Sequence, residues 1–236
     1  TEKAASEMEE RGERLLPYGY VDVPIATFHA CCERILREFG ADIGLSSRFR
    51  VFDELESWLL ARRFFDRFDL DYYRPLGHPT KYLRDLLTHF ARAKDEGITS
   101  SQYQNFVEQL IADQDTKQGD AETEIELRRW QELSEAYATY QNILREHDAQ
   151  DFGDLGLLVL ELFERRPKVR EALRERFPFV LVDEFQDTNV VQYAMIKALS
   201  APKNNLTVVG DDDQSIYKFR GASLSNILTF LDDYPT

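Results

Sequence analysis

Asp183 and Glu184 end the apolar run Phe179-Val180-Leu181-Val182, and two carboxylates at such a junction can do chemistry. One can hold Mg²⁺, directly or through water, because Mg²⁺ prefers oxygen ligands and is usually shared between one or two carboxylates and substrate phosphates. Its neighbour then lies close enough to orient or deprotonate an attacking water. Four apolar residues rich in β-branched types predict a strand buried on both faces. In an open α/β sheet, ligands bind beyond the carboxyl ends of such strands. A solvated acidic strand-to-loop junction has the same local pattern, so the pair alone does not decide. A second run does more: Leu206-Thr207-Val208-Val209 leads through Gly210 into Asp211, Asp212, Asp213 and Gln214. Two strands that bring polar groups to one edge make a site.

These stretches resemble known motifs. VDEFQDTN (182–189) and VVGDDDQSIYKFRGA (208–222) resemble the Walker B segment and the coupling segment after it in superfamily-one DNA helicases of the UvrD/Rep/PcrA type. TEKAASEMEER (1–11) resembles that family's TNKAAxEMxxR segment, and IATFHACCERILRE (25–38) its GTFHSxxxxxLR segment. AQDFGDL (149–155) resembles its DFDDL segment, with Gly153 where the family usually has aspartate. ARAKDEGITSSQY (91–103) is similar to a stretch of the family's helical insertion. The matches run in family order over most of the chain.

Composition bounds the rest. At 236 residues, with 43% hydrophobic and 31% charged, the chain is long enough for one large or two small soluble domains. No apolar run approaches the roughly 20 residues needed to span a bilayer, and no signal-peptide pattern opens the chain, so a cytoplasmic location is expected. The adjacent Cys31 and Cys32 have no metal-ligand spacing and read as ordinary helix or core residues of a reducing compartment. A net charge of −14 runs against the basic footprint of a nucleic-acid binder. Phosphate contacts depend on where charges sit, so a local groove remains compatible with it, and weak DNA affinity is expected of this segment alone.

Stepping outward to the elements that must position the carboxylates, residues 1–16 read as a helix that starts without a preceding strand, as if the chain had been cut. Val21–Thr27 reads as a strand, with Pro24 favouring an edge, and Ala30–Phe39 as a helix stopped by Gly40. Between about Ser46 and His147 helical patterns dominate: 51–68, 81–95, 101–114 and 122–146, with no strand signal. Thr99 and Gln102 resemble a capping box, and 113–124 reads as an exposed acidic loop. In the last helix Leu127, Trp130, Leu133, Tyr137, Tyr140 and Leu144 form one apolar stripe. A helix follows from Asp151 to Phe163, with Gly153 softening its first turn. Another runs from Pro167 to Arg176. A third is expected from Val190 to Leu199, capped by Asp187-Thr188, and a closing one from Ser223.

The expected fold is therefore α/β: a parallel RecA-like (P-loop NTPase) sheet, incomplete, formed by 1–45 and 148–236, with an inserted all-helical subdomain over 46–147. By resemblance, Asp183 holds Mg²⁺, Glu184 is the catalytic base, and Gln214 senses the γ-phosphate of ATP. Thr27, His29, Tyr217 and Phe219 line the single-stranded DNA path, Phe219 at the position that stacks on a base. Thr27 as a helix cap, His29 as a hydrogen-bonded ring and Tyr217 as a packing residue stay open, and Arg220 reads mainly as an ion-pairing group. Hydrolysis also needs a phosphate cradle, yet GxxxxGK[ST] is nowhere in the chain. The second RecA-like domain and its arginines are absent too. The resemblance thus implies part of an ATP- and Mg²⁺-dependent 3′-to-5′ DNA helicase acting on single strands and junctions in repair, replication or recombination, with this segment alone inactive. A helicase subunit of a recombination nuclease and a non-catalytic interaction module that has lost ATP binding are the alternatives.

Overall fold

A computed structural model describes residues 2–15, 24–115, 121–211, 229–230 and 232–234. Helix α1 (Glu2–Leu15) is followed, after residues outside that set, by an extended stretch at 24–27 and by α2 (Phe28–Phe39). Of the strand expected over Val21–Thr27, residues 21–23 lie outside that set, and among the described residues no strand pairs with 24–27; Thr27 is extended because it caps α2, its Oγ1 accepting from the Ala30 amide at 3.2 Å. Gly40 ends α2 as expected, at φ −62° with its amide donating to Leu36 O; a 3₁₀ turn over Gly40–Ile43 follows, and the left-handed residue is Gly44, at φ 89°.

Strand β1 (Arg50–Phe52) comes next, inside the stretch expected to be purely helical. It is followed by α3 (Glu54–Arg63), held by an Asp53/Glu56 capping box, α4 (Leu83–Asp95), α5 (Ser100–Asp115), α6 (Ala121–Glu146) and β2 (Ala149–Asp151). The expected helix over 51–68 is therefore a strand, a shorter helix and a 3₁₀ turn at Phe65–Arg67. Of the loop expected over 113–124, residues up to Asp115 and from Ala121 are helical, and 116–120 lie outside the described residues. Glu122 and Glu124 in the first turn of α6 favour that early start by opposing the positive end of its dipole.

β1 and β2 pair in parallel, Arg50 with Ala149 through Phe52 with Asp151, so the chain enters and leaves the helical block side by side. Inside lies one core drawn wholly from residues 52–149, in which Phe90 stacks on Tyr137 at 5.0 Å and the predicted α6 stripe supplies Tyr137, Tyr140 and Leu144. The Thr99/Gln102 box is present, with Thr99 N donating to Gln102 Oε1 at 2.9 Å and Gln102 N to Thr99 Oγ1 at 3.3 Å. Gly97, at φ 80°, closes α4 just before it.

Helices α7 (Phe152–Arg165) and α8 (Pro167–Arg176), strand β3 (Val180–Val182), helix α9 (Val190–Ser200) and strand β4 (Leu206–Val208) follow; the start of the closing helix expected from Ser223 lies outside the described residues, of which 229–230 and 232–233 are helical. Leu155, Val159, Leu162 and Phe163 of α7 join Ile35 and Leu36 of α2 in a second core. Cys32 is buried there, its thiol donating to Met195 Sδ at 3.4 Å; it and Cys31 are free thiols whose pKa values burial raises, as expected of packing residues. β3 and β4 pair in parallel, Val182 opposite Val208. The expected burial of β3 on both faces does not hold. Val182 is buried against Tyr193 and Ile196, whereas Leu181 is 77% exposed. Side chains alternate along a strand, and among the described residues only one face of this two-stranded sheet is covered. No helix among the described residues is long and apolar enough to cross a membrane.

Candidate active site

The two acidic stretches meet. Asp183 follows the last residue of β3, and Gly210 and Asp211 lie just beyond β4. The ladder continues past the strands: Val209 N donates to Val182 O at 2.8 Å and Phe185 N to Val209 O at 2.9 Å, which draws both strand ends to one edge. Parallel pairing in that register forces this, because both chains then end on the same side. Asp183 and Glu184 are exposed there. Glu184 has φ 52° and ψ 44°, the left-handed region that only a few per cent of non-glycine residues occupy. It turns the chain into the 3₁₀ turn Phe185–Asp187, braced by Asp187 N donating to Glu184 O and by the Thr188 hydroxyl donating to Phe185 O at 2.7 Å.

Gln186 is buried in this exposed corner and uses both ends of its amide. Nε2 donates to Glu184 Oε2 at 2.6 Å, and Oε1 accepts from the Asp211 backbone amide at 3.1 Å. A Cβ on Gly210 would stand 2.8 Å from Gln186 Oε1, so a glycine is what lets the two loops close on one another. Helix α9 begins at Val190, as expected, but Asp187-Thr188 is not its cap. Asn189 is the cap, accepting from Gln192 N at 2.8 Å while Gln192 Oε1 returns to Asn189 N, because an extended Asn189 can close a reciprocal box and Asp187 is committed to the turn.

A buried charge cluster sits behind this corner. Lys94, fully buried in α4, donates from Nζ to Asp151 Oδ2 at 2.6 Å and stands 2.8 Å from Asp154 Oδ1. Tyr140 OH donates to the same Asp151 oxygen at 3.0 Å, and its ring centre lies 5.1 Å from Nζ. Burial by itself would raise the Asp151 pKa, but the Lys94 charge and its hydrogen bond hold it below the usual value. Asp154 is pushed up to about 6 by burial and by the charge of Asp151, and Lys94 offsets this only in part. One residue on, Asp95 accepts from Asn189 Nδ2 at 2.6 Å, and burial pushes its pKa up to about 6. The end of α4 thus ties the helical block to the start of α7 and to the cap of α9.

Thr27 and His29 lie elsewhere on the same surface. Thr27 is spent on its cap, and the exposed His29 ring packs against Phe152 at 5.0 Å, bordering a small crevice with Asp95, Gly153 and Asn189. The surrounding protein desolvates the ring and lowers its pKa. Gln214, Tyr217, Phe219 and Arg220 lie outside the described residues. Among the described residues no group of three or more His, Cys, Asp or Glu could cage a metal. Mg²⁺ does not need one: an exposed carboxylate at a strand end, here Asp183, fits an ion that shares its shell with phosphates and water.

Sequence reading missed Lys94 and Gln186 as organising residues. Lys94 had a signal, since it falls on the apolar stripe of α4 with Leu83, Leu86 and Phe90, where an unpartnered charge would be costly. Gln186 had none beyond lying between Phe185 and Asp187.

Residues 1–235 match the model of the UvrD/REP helicase N-terminal domain. Similar proteins include the ATP-dependent DNA helicase PcrA of Bacillus subtilis, 37% identical, that of Leuconostoc citreum, 36%, and that of Staphylococcus aureus strain Mu50, 34%. Each alignment covers all of this chain but only 28–29% of the relative, so the chain spans under a third of the length of these helicases. Both the order of its motifs and this match over nearly its whole length lead to one assignment: the chain belongs to the UvrD/REP helicase family.

Proposed function

We propose that this chain is the nucleotide-hydrolysing part of an ATP-dependent 3′-to-5′ DNA helicase, working in the cytoplasm on single-stranded DNA and on junctions. The observation that carries the reading is the shared edge: Asp183 and Glu184 after β3, Gly210 and Asp211 after β4, joined by the Phe185–Val209 hydrogen bond. Residues 1–45 and 148–236 form the RecA-like core, and 46–147 is the inserted subdomain. A core closed within 52–149, and entry and exit strands lying side by side, support that division.

Asp183 would hold Mg²⁺, which when bound neutralises charge building up on the transferred phosphoryl group. Glu184, exposed at the left-handed corner that follows the strand, accepts the proton of the attacking water. Gln214 would report the γ-phosphate, and Thr27, His29, Tyr217 and Phe219 are the residues assigned to the DNA. These 236 residues contain no GxxxxGK[ST] cradle and span under a third of their relatives' length, so the segment by itself is expected to turn over no ATP.

The test uses the full-length helicase that contains this segment. Glu184→Gln keeps the reach of the side chain but removes its basicity: Mg²⁺-ATP still binds, and turnover falls about 10²–10⁴-fold. Asp183→Asn instead weakens Mg²⁺-dependent nucleotide binding, since a neutral amide is a poor ligand for a hard dication. Parallel binding titrations and turnover assays separate the two, and the reading is lost if Glu184→Gln hydrolyses ATP at the parent's rate.

A further inference from the structure

We infer that Gln186 is a positioning residue for hydrolysis: its side-chain amide clamps the Glu184 carboxylate to the Asp211 backbone, so that the base and the end of β4 are held as one piece. The inference rests on the reading of Glu184 as the base. Three observations carry it. Gln186 is 2% exposed although Glu184 and Asp211, on either side of it, are exposed, so the amide is fixed while its partners face solvent. Its two ends are spent on two different loops, at 2.6 Å and 3.1 Å, in the orientation a carboxylate and a backbone N–H require of a carboxamide. Finally, Gly210 leaves just the space that the amide oxygen fills.

The arrangement solves a problem the fold creates. A glutamate at a left-handed corner is exposed and has several rotamers; a base that wanders by an ångström forfeits about 100-fold in rate. The donor from Gln186 selects one of those rotamers. Because the same amide is anchored by Asp211 N–H, a shift of the loop after β4 is felt directly at the Glu184 carboxylate.

Gln186→Met in the full-length helicase fills the same space without either hydrogen bond. Both abandoned partners face water and can be solvated, so the variant is expected to melt with the parent. Its kcat for DNA-stimulated hydrolysis should fall roughly 10- to 100-fold with KM for ATP within about threefold, the pattern of an interaction that matters only during reaction. Gln186→Glu keeps the acceptor for Asp211 and turns the donor into a second carboxylate facing Glu184, and its kcat should fall at least as far. A Met variant that turns over at the parent's rate while Glu184→Gln is dead would remove the clamp and leave the base intact. A fall in kcat that tracks a lowered melting temperature and a raised KM in both variants would make Gln186 a packing residue only. Full activity of Glu184→Gln would instead overturn the assignment of the base itself.

Discussion

Two acidic pairs, Asp151 with Asp154 at the start of α7 and Asp183 with Glu184 after β3, are put to opposite uses. The first is buried: a lysine ammonium sits within 2.8 Å of both carboxylates, a tyrosine donates to one, and the two aspartates close a capping box on the first turn of α7. The second is exposed at a strand end, where a glutamine orders one member and no ion pair engages either among the described residues. A carboxylate already saturated by protein donors holds structure together. One left facing an edge, with its backbone in an uncommon conformation, is available to a substrate. Burial and partners, more than residue type, separate the two.

Removing a charge should then have opposite consequences in the two places. Lys94→Met leaves two buried carboxylates around an apolar chain, and breaking a buried pair from one side costs about 3–5 kcal/mol. Denaturant melts followed by circular dichroism should show a loss of that size, whereas Asp183→Asn stays within about 0.5 kcal/mol of the parent, as surface changes do. Equal losses would erase the distinction.

A second variant sharpens the same point at smaller scale. Gly153 has the look of a weak position in α7, and replacing a helical glycine by alanine ordinarily gains about 1 kcal/mol. Here an added Cβ would stand 2.8 Å from Lys94 Cδ and 2.9 Å from its Cβ. Lys94 is fully buried with both carboxylates gripping its end, so it cannot swing aside. Gly153→Ala should therefore destabilise by about 1–3 kcal/mol, the range for overpacking, in the same melts. A stabilised variant would mean that the lysine is less firmly held than its distances indicate.

What the sequence disclosed and what it hid follow from range. Helices α4, α6, α7 and α8 were legible because their apolar residues repeat every three or four positions and their ends carry Gly97, Asp151 or Pro167. The carboxylates after β3 and β4 were legible because each ends an apolar run, although the exposure of Leu181 was not, since burial depends on what covers the other face. Strand β1 was invisible: Arg50-Val51-Phe52 is too short to show a period, and only its pairing with Ala149-Gln150-Asp151 makes it a strand. The Lys94 cluster joins residues 57 positions apart, and the Gln186 clamp exists only once β3 and β4 adopt their register. Both are products of the fold, which local patterns do not encode.

The smallest effect lies in pH dependence, and it tests the buried pair alone. Asp154 is raised from its ordinary 3.8 to about 6, first by burial and then by the charge of Asp151. A raised folded-state pKa means that the folded protein binds the proton more tightly than the unfolded chain. The stability this contributes is present in full below pH 3.8 and is lost as pH rises through 6. Between pH 7 and 5 the folded Asp154 takes up most of a proton and the unfolded chain almost none, which is worth about 1 kcal/mol in favour of the fold. Asp154→Asn keeps the size of the side chain and removes the titration. The stability of the parent relative to this variant should thus rise by about that amount as pH is lowered from 7 to 5, measured by paired denaturant melts. Taking the difference cancels groups common to both proteins, including His29, whose lowered pKa acts in the opposite sense. A difference curve that is flat for Asp154→Asn would show that Lys94 neutralises both carboxylates alike.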